Sequence, residues 1–409
     1  MTGQPQPSHR MTTAAPDFRD PGRQFLHSPG PSHVPLEVMQ AMGRQPMDMA
    51  DPRLGQTIAA IECGLRRLLH TEAADVFVYA TNGHGAWEAV ISNLVGPGHC
   101  VLVPGTGHFS ESWAEQTEAM GGRVIRTAWV EGHPIDLLAV ERALRADTTR
   151  EIVAVFAVHT DTASGVTSDI PALRSVIDAT GHPALLVVDV VASLGAAPFA
   201  MDDWGVNVVL GASQKGLMCP PGLGFAAADS RAMAVCERNP MPRFYWDWRL
   251  RKSEFSYRKY CGTPPQNALM GLEAALGLFF QEGEDRVFAR HRLAADMVHA
   301  AVARWSEGGA LGFFGRVPGA RSTSVTTITV APGVDPEALR TLARERFQIA
   351  IAGGLGPLSG RVFRIGHLGD MNAPMILGCL AGVDAALRVQ GIPCGSGALD
   401  AAIACLVRS

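Results

Sequence analysis

Residues 184–228 read ALLVVDVVASLGAAPFAMDDWGVNVVLGASQKGLMCPPGLGFAAA. An apolar run, 184–188, closes on a single acid, Asp189. A second run, 206–210, leads into Gly211-Ala212-Ser213-Gln214-Lys215, and a Pro-Pro-Gly turn precedes a third, 222–228. Short apolar runs rich in Val and Leu, bounded by turn residues, predict buried strands. An ammonium at the end of such a strand, between small residues, is costly to bury. Desolvation lowers its pKa and leaves the neutral amine that condenses with an aldehyde. An acid closing the neighbouring strand is placed to pair with a pyridinium nitrogen. Alone, Asp189 reads as a turn cap and Lys215 as a solvated loop lysine. Together, each after its own buried strand, they point to a pyridoxal 5'-phosphate (PLP) site with Lys215 as the Schiff-base lysine.

Upstream, strand and helix patterns alternate. Strands are predicted at 75–80, 100–104, 123–127, 151–158 and 184–190, with helices at 87–94, 112–120, 135–144 and 170–179 between them. This alternation predicts an α/β fold with a mainly parallel, doubly wound sheet. The run 222–228, so close behind its predecessor, is expected to turn back antiparallel. Ligands of such sheets sit beyond the carboxyl ends of the strands, where Asp189 and Lys215 both fall. Helical spacing at 266–282 and 286–305, then a strand, helix, strand and helix to residue 388, predicts a smaller C-terminal α+β unit. The expected division is a flexible arm at 1–24, a large domain at 25–285 and a small domain at 286–409.

The totals fit this picture. The chain has 409 residues, 47% hydrophobic and 18% charged, enough for two domains and a large core. A formal charge of −4 without a long basic run gives no case for nucleic-acid binding. The eight cysteines form no CxxC pair and the histidines keep no zinc spacing, so neither a disulfide framework nor a metal site is expected. Without an apolar signal segment or a stretch able to span a bilayer, a cytoplasmic protein is expected.

A PLP site also needs a phosphate cradle. Thr81-Asn82-Gly83-His84-Gly85 lies between a strand and a helix, where glycines and a helix N-terminus can receive an anion. Taken alone it is equally a plain turn, and it matches neither a Walker A loop nor GxGxxG. Phe109, in Gly107-His108-Phe109, can lie against a cofactor ring or simply pack in the core. Thr162, in His159-Thr160-Asp161-Thr162, can bond a ring hydroxyl.

These pieces resemble the class V aminotransferases of PLP fold type I, in the alanine–glyoxylate and serine–glyoxylate group. The segments HPALLVVDVVASLGAAPF, GASQKGLMCPPGLGF, Thr263-Pro264-Pro265 and RVFRIGHLGDMN carry the resemblance, which extends from Gln24 onward. It implies a large domain with a seven-stranded-type sheet. It also implies Lys215 as the cofactor lysine and proton shuttle, and Asp189 as partner of the pyridine nitrogen. Val191 would pack on the ring and Phe109 stack on it, while Asn82, Gly83, His84 and Gln214 would bind the phosphate. Thr162 would reach the ring hydroxyl. Tyr260 and Thr263 would complete the phosphate site of a partner subunit in a homodimer with active sites at its interface. Arg364 would clamp the substrate carboxylate, a role that suits a planar guanidinium; without the resemblance it reads as a surface ion-pair residue. Gly30, Ser32 and Gly354 would line the substrate pocket. The implied reaction moves an amino group from serine or alanine to glyoxylate by a ping-pong mechanism. Departures from the group's usual pattern at residues 82–85, 159–162 and 262 put the donor in question, and HxDTxSG is similar to pyridoxamine–pyruvate aminotransferase. Pyridoxamine–pyruvate or aspartate–glyoxylate exchange, a cysteine-desulfurase-like lyase and a metabolite sensor are the alternatives.

Overall fold

The computed structural model describes residues 22–408. The expected arm at 1–24 therefore lies almost wholly outside the described residues. In chain order the strands are β1 (Phe25–His27), β2 (Asp75–Thr81), β3 (Cys100–Val103), β4 (Arg123–Arg126), β5 (Ile152–Val158), β6 (Thr160–Asp161) and β7 (Val166–Thr167). They continue as β8 (Leu185–Asp189), β9 (Val208–Ala212), β10 (Gly222–Ala228), β11 (Leu311–Phe313), β12 (Val325–Val330), β13 (Ile349–Gly353) and β14 (Val362–Gly366).

The large sheet has seven strands in the order β2-β10-β9-β8-β5-β3-β4. All neighbours are parallel except β10, which runs antiparallel between β2 and β9. Every residue of β8 and β9 is buried, as continuous apolar runs in a sheet covered on both faces require. One face packs Leu186, Val188 and Val209 against Ile61, Leu65 and Leu276 of flanking helices. The other packs Val187, Val208 and Leu210 against Trp87, Trp113 and Trp248. Asp side chains cap the helices Leu137–Ala146, Ile170–Ala179 and Ser230–Arg238, each accepting a first-turn N–H. These caps fix where each crossover helix starts and leave the strand ends free to carry the site.

The second sheet has the order β1-β13-β14-β12-β11. β1, three residues near the N-terminus, pairs in parallel with β13. The expected large domain began at residue 25, but this strand belongs by pairing to the C-terminal sheet. Three residues carry too little periodicity to show that. The β6–β7 hairpin, two residues in each strand, is too short to show for the same reason, and β13, though five residues long, was also not expected. No helix among the described residues is long and apolar enough to cross a membrane.

Candidate active site

Beyond the carboxyl ends of β2, β5, β8 and β9 lies a cavity of about 240 Å³. It is lined by Gly30, Asn82, Gly83, His84, Phe109, Thr162, Asp189, Val191, Gln214 and Lys215, together with Trp87. Residues far apart in the chain meet here because each follows its own strand into the same rim.

Lys215 lies three residues past β9 and is 7% exposed. Its Nζ donates to the Pro29 carbonyl and faces Thr162 Oγ1 at 3.4 Å. Burial, with the Arg364 guanidinium adding to it, pulls its pKa down to about 7. Near neutral pH a large share of this amine is therefore unprotonated, the form that attacks an aldehyde. The chain leaves no slack around it. Gly30 has φ +114°, and a Cβ there would run into the lysine side chain. Ser32 does not line the cavity; its Oγ donates to the Lys215 carbonyl at 2.8 Å and its N–H to the Gln214 carbonyl, so it braces the lysine from behind.

Asp189 ends β8 and is wholly inside. It accepts from the Val191 N–H at 2.7 Å and from Trp87 Nε1 at 2.8 Å. Burial raises its pKa to about 6 against these two bonds. A pyridinium N–H beside this carboxylate would hold it ionised. Trp87 was legible in the sequence only as a helical residue; its reach to a carboxylate 102 positions away is a product of folding.

The cradle is built from Asn82, whose side chain caps the helix Gly83–Leu94 by accepting from the Gly85 N–H. The Asn82 carbonyl takes the Ala86 N–H, which leaves the N–H groups of Gly83 and His84 to the cavity. Gln214 adds a partly buried side-chain amide whose buried Oε1 has no hydrogen-bond partner among the described residues, and turned over it presents its NH₂ to an anion. Open N–H groups, an unpartnered amide, a carboxylate and an amine match the phosphate, pyridine nitrogen and aldehyde of PLP in turn. The site fits that group. PLP bound here would supply the electron sink into which charge at a substrate α-carbon delocalises.

Arg364 is 5% exposed on β14, one step behind the cavity. Its Nε donates to the Gly353 carbonyl at 2.7 Å and its Nη1 to the Thr162 carbonyl at 2.9 Å. Burial lowers its pKa to about 10, so it remains a cation at neutral pH. The Nη1–Nη2 edge is the part left to take a carboxylate. Gly354 follows in the turn that this arginine holds, and a Cβ there would strike the Leu358 carbonyl.

Tyr260 and Thr263 stand apart from this constellation within one chain. Tyr260 is buried in the core of the large unit, while Thr263 is exposed. Cys219, the nearest thiol in sequence to Lys215, is buried and its pKa is pushed up to about 12. It is unsuited to a nucleophilic role.

Comparison with known proteins agrees with the chemistry of these residues. A model of the class-V aminotransferase family matches residues 24–361. A serine–glyoxylate aminotransferase of Methylorubrum extorquens is 36% identical over 95% of this chain and 97% of its own. An L-aspartate–glyoxylate aminotransferase of Paracoccus denitrificans is 38% identical over 89% of this chain and 91% of its own. The crystal structure of pyridoxamine–pyruvate aminotransferase from Mesorhizobium loti superposes with a TM-score of 0.87 at 25% identity, covering 96% of this chain and 99% of that one. With Lys215, Asp189 and the cradle gathered at the strand ends of a type I fold, the chain belongs to the class V aminotransferases and is a PLP-dependent transaminase.

Proposed function

We propose that the protein transfers the amino group of a small amino acid, serine or alanine, to glyoxylate by a ping-pong mechanism. The observation that supports this reading is the nearness of a buried guanidinium, Arg364, one step behind a cavity of modest size, to the lowered-pKa amine Lys215 that lines it. In each half-reaction Arg364 would hold the substrate carboxylate while Lys215, as a free amine, would take up and return the proton of the substrate α-carbon. Asp189 would pair with the pyridine nitrogen, Val191 and Phe109 would enclose the ring, Thr162 would bond its hydroxyl, and Asn82, Gly83, His84 and Gln214 would take the phosphate. Gly30 leaves room for the Lys215 side chain at the edge of the substrate pocket, and Gly354 allows the turn behind it.

The reading includes a cytoplasmic homodimer of two-domain subunits divided near residue 285, in which Tyr260 and Thr263 serve the partner's phosphate site. Phe244 (72% exposed), Phe255 (61%) and Tyr257 (50%) lie just before these two residues. An apolar cluster of that kind supports a covered surface.

The test is a titration of the purified holoenzyme with serine, alanine, aspartate and pyridoxamine, followed by visible absorbance. Serine or alanine is expected to bleach the band and glyoxylate to restore it. Bleaching by aspartate or pyridoxamine alone moves the assignment to that donor. A sedimentation mass of one subunit removes the dimer.

A further inference from the structure

One buried acid at the site has no part in the reaction as described so far. Asp161 ends β6 and is fully buried. Its Oδ2 accepts from the Phe109 N–H at 2.9 Å, and its Oδ1 from the N–H groups of Ala163 at 2.9 Å and Ser164 at 3.3 Å. Among the described residues it forms no ion pair; backbone amides alone solvate it. The chain closes over it at Gly107, where φ is +147° and a Cβ would stand 2.8 Å from Oδ2.

The bonds of Asp161 join two parts of the site. Phe109 begins the helix His108–Ala119 beside the cavity. Ala163 and Ser164 belong to the tip of the β6–β7 hairpin, which the small sheet grips from the other side. Arg364 Nη1 bonds the Thr162 carbonyl there, and Thr327 Oγ1 bonds the Ala163 carbonyl at 3.0 Å. The stacking aromatic and the carboxylate clamp are thus held to one hairpin tip, on opposite sides.

We propose that Asp161 is a positioning residue for the transaminase reaction: its carboxylate fixes Phe109 to the hairpin tip that Arg364 grips, and its charge acts on Lys215 across the same turn. The titratable groups facing it are His108 on the helix, Asp189 at the end of β8, Lys215 after β9 and Arg364 on β14. The Asp161 anion favours the protonated forms of Lys215 and Arg364 and opposes ionisation of Asp189. One side chain thereby sets both the geometry and the field in which cofactor and substrate are held.

Two variants separate those effects. D161N keeps the size of the side chain, removes its charge and turns an NH₂ toward backbone N–H groups. In holoenzyme D161N, the pH at which the visible absorbance passes from one band to the other is expected to fall by about half a unit, because a nearby anion no longer favours the protonated nitrogen. Its KM for the carboxylate substrates and its Kd for PLP are expected to rise about tenfold with the lost amide bonds. G107A keeps the charge and displaces the carboxylate, so KM and Kd are expected to rise while the spectral midpoint stays in place. A D161N enzyme that loses PLP affinity with an unmoved midpoint makes Asp161 a structural cap only and overturns the proposal. So does G107A with wild-type KM and PLP affinity, a result that decides the matter even where D161N fails to fold.

Discussion

Around the cavity, Lys215, Asp189, Asp161 and Arg364 are buried as mixed charges at the carboxyl ends of the large sheet and on the facing strand of the small one. Between the small sheet and the helix Glu284–Ser306, His27, His291 and His367 are buried to a similar degree and His299 is partly buried, and none of the four lines the cavity. Burial lowers the pKa of His27, His291 and His299 to about 4 and that of His367 well below its usual value, so all four are neutral in the folded protein at physiological pH. Three have backbone partners: His27 Nδ1 with the Gly366 carbonyl, His291 Nδ1 with the Val287 carbonyl, and His367 Nδ1 with the Thr323 carbonyl. His291 Nε2 also accepts the Gly369 N–H. They pin the turn after β14, which packs against Ser32 and the backbone of Lys215. The same physical cost is thus met in two ways. In the cavity, opposite charges and oriented donors keep groups poised between protonation states. In the histidine cluster, neutral rings fill space and tie down backbone. Ionisable residues inside a protein indicate chemistry where they face a cavity with mixed signs, and indicate packing where they face each other.

The contrast can be tested from the cavity outward. Lys215→Ala removes the amine proposed to bind the cofactor and move the proton; multiple-turnover transamination is expected to fall at least about 10³-fold. Full turnover in that variant would place the reacting group elsewhere. Arg364→Lys keeps the charge and loses the fork, and steady-state kinetics are expected to show KM for amino and oxo acid substrates up roughly 10- to 100-fold. An unchanged KM would remove the clamp from the mechanism. Gly30→Ala puts a Cβ into the lysine at φ +114°, and the expected result is roughly tenfold weaker PLP retention on dialysis with the fold intact by circular dichroism.

The histidine cluster should answer to acid and leave the chemistry alone. An unfolded chain takes up protons on histidine near pH 6.5, whereas His299 is held to about 4 in the fold. Its contribution to stability is complete above pH 6.5 and is lost as the pH falls toward 4. His299→Gln is expected to flatten that acid slope by an amount on the order of 1 kcal/mol in denaturant titrations, with kcat at neutral pH unchanged. An identical slope in the variant would show that His299 does not titrate during unfolding.

The two regions also differ in how far the sequence disclosed them. Lys215 and Asp189 stood out because each closes an apolar run, a local pattern that survives without any knowledge of neighbours. The strand-to-helix turn at Asn82–His84, which lines the cavity, was readable for the same reason, as a glycine-rich turn. Trp87, the Pro29 carbonyl and the bracing part played by Ser32 were invisible, since each acts on a residue more than a hundred positions away. Asp161 appeared within a motif, but its hold on Phe109 requires the helix His108–Ala119 to lie against the β6–β7 hairpin.

By itself the sequence determined the alternation of strands and helices, the antiparallel return of β10, and the type of chemistry, because periodicity and strand-end residues are properties of short segments. Only the tertiary structure decided that β1 joins the far sheet, which buried acids face the cavity, and which histidines merely pack. Those outcomes depend on through-space burial and on partners brought together by folding, and short-range pattern carries no record of either.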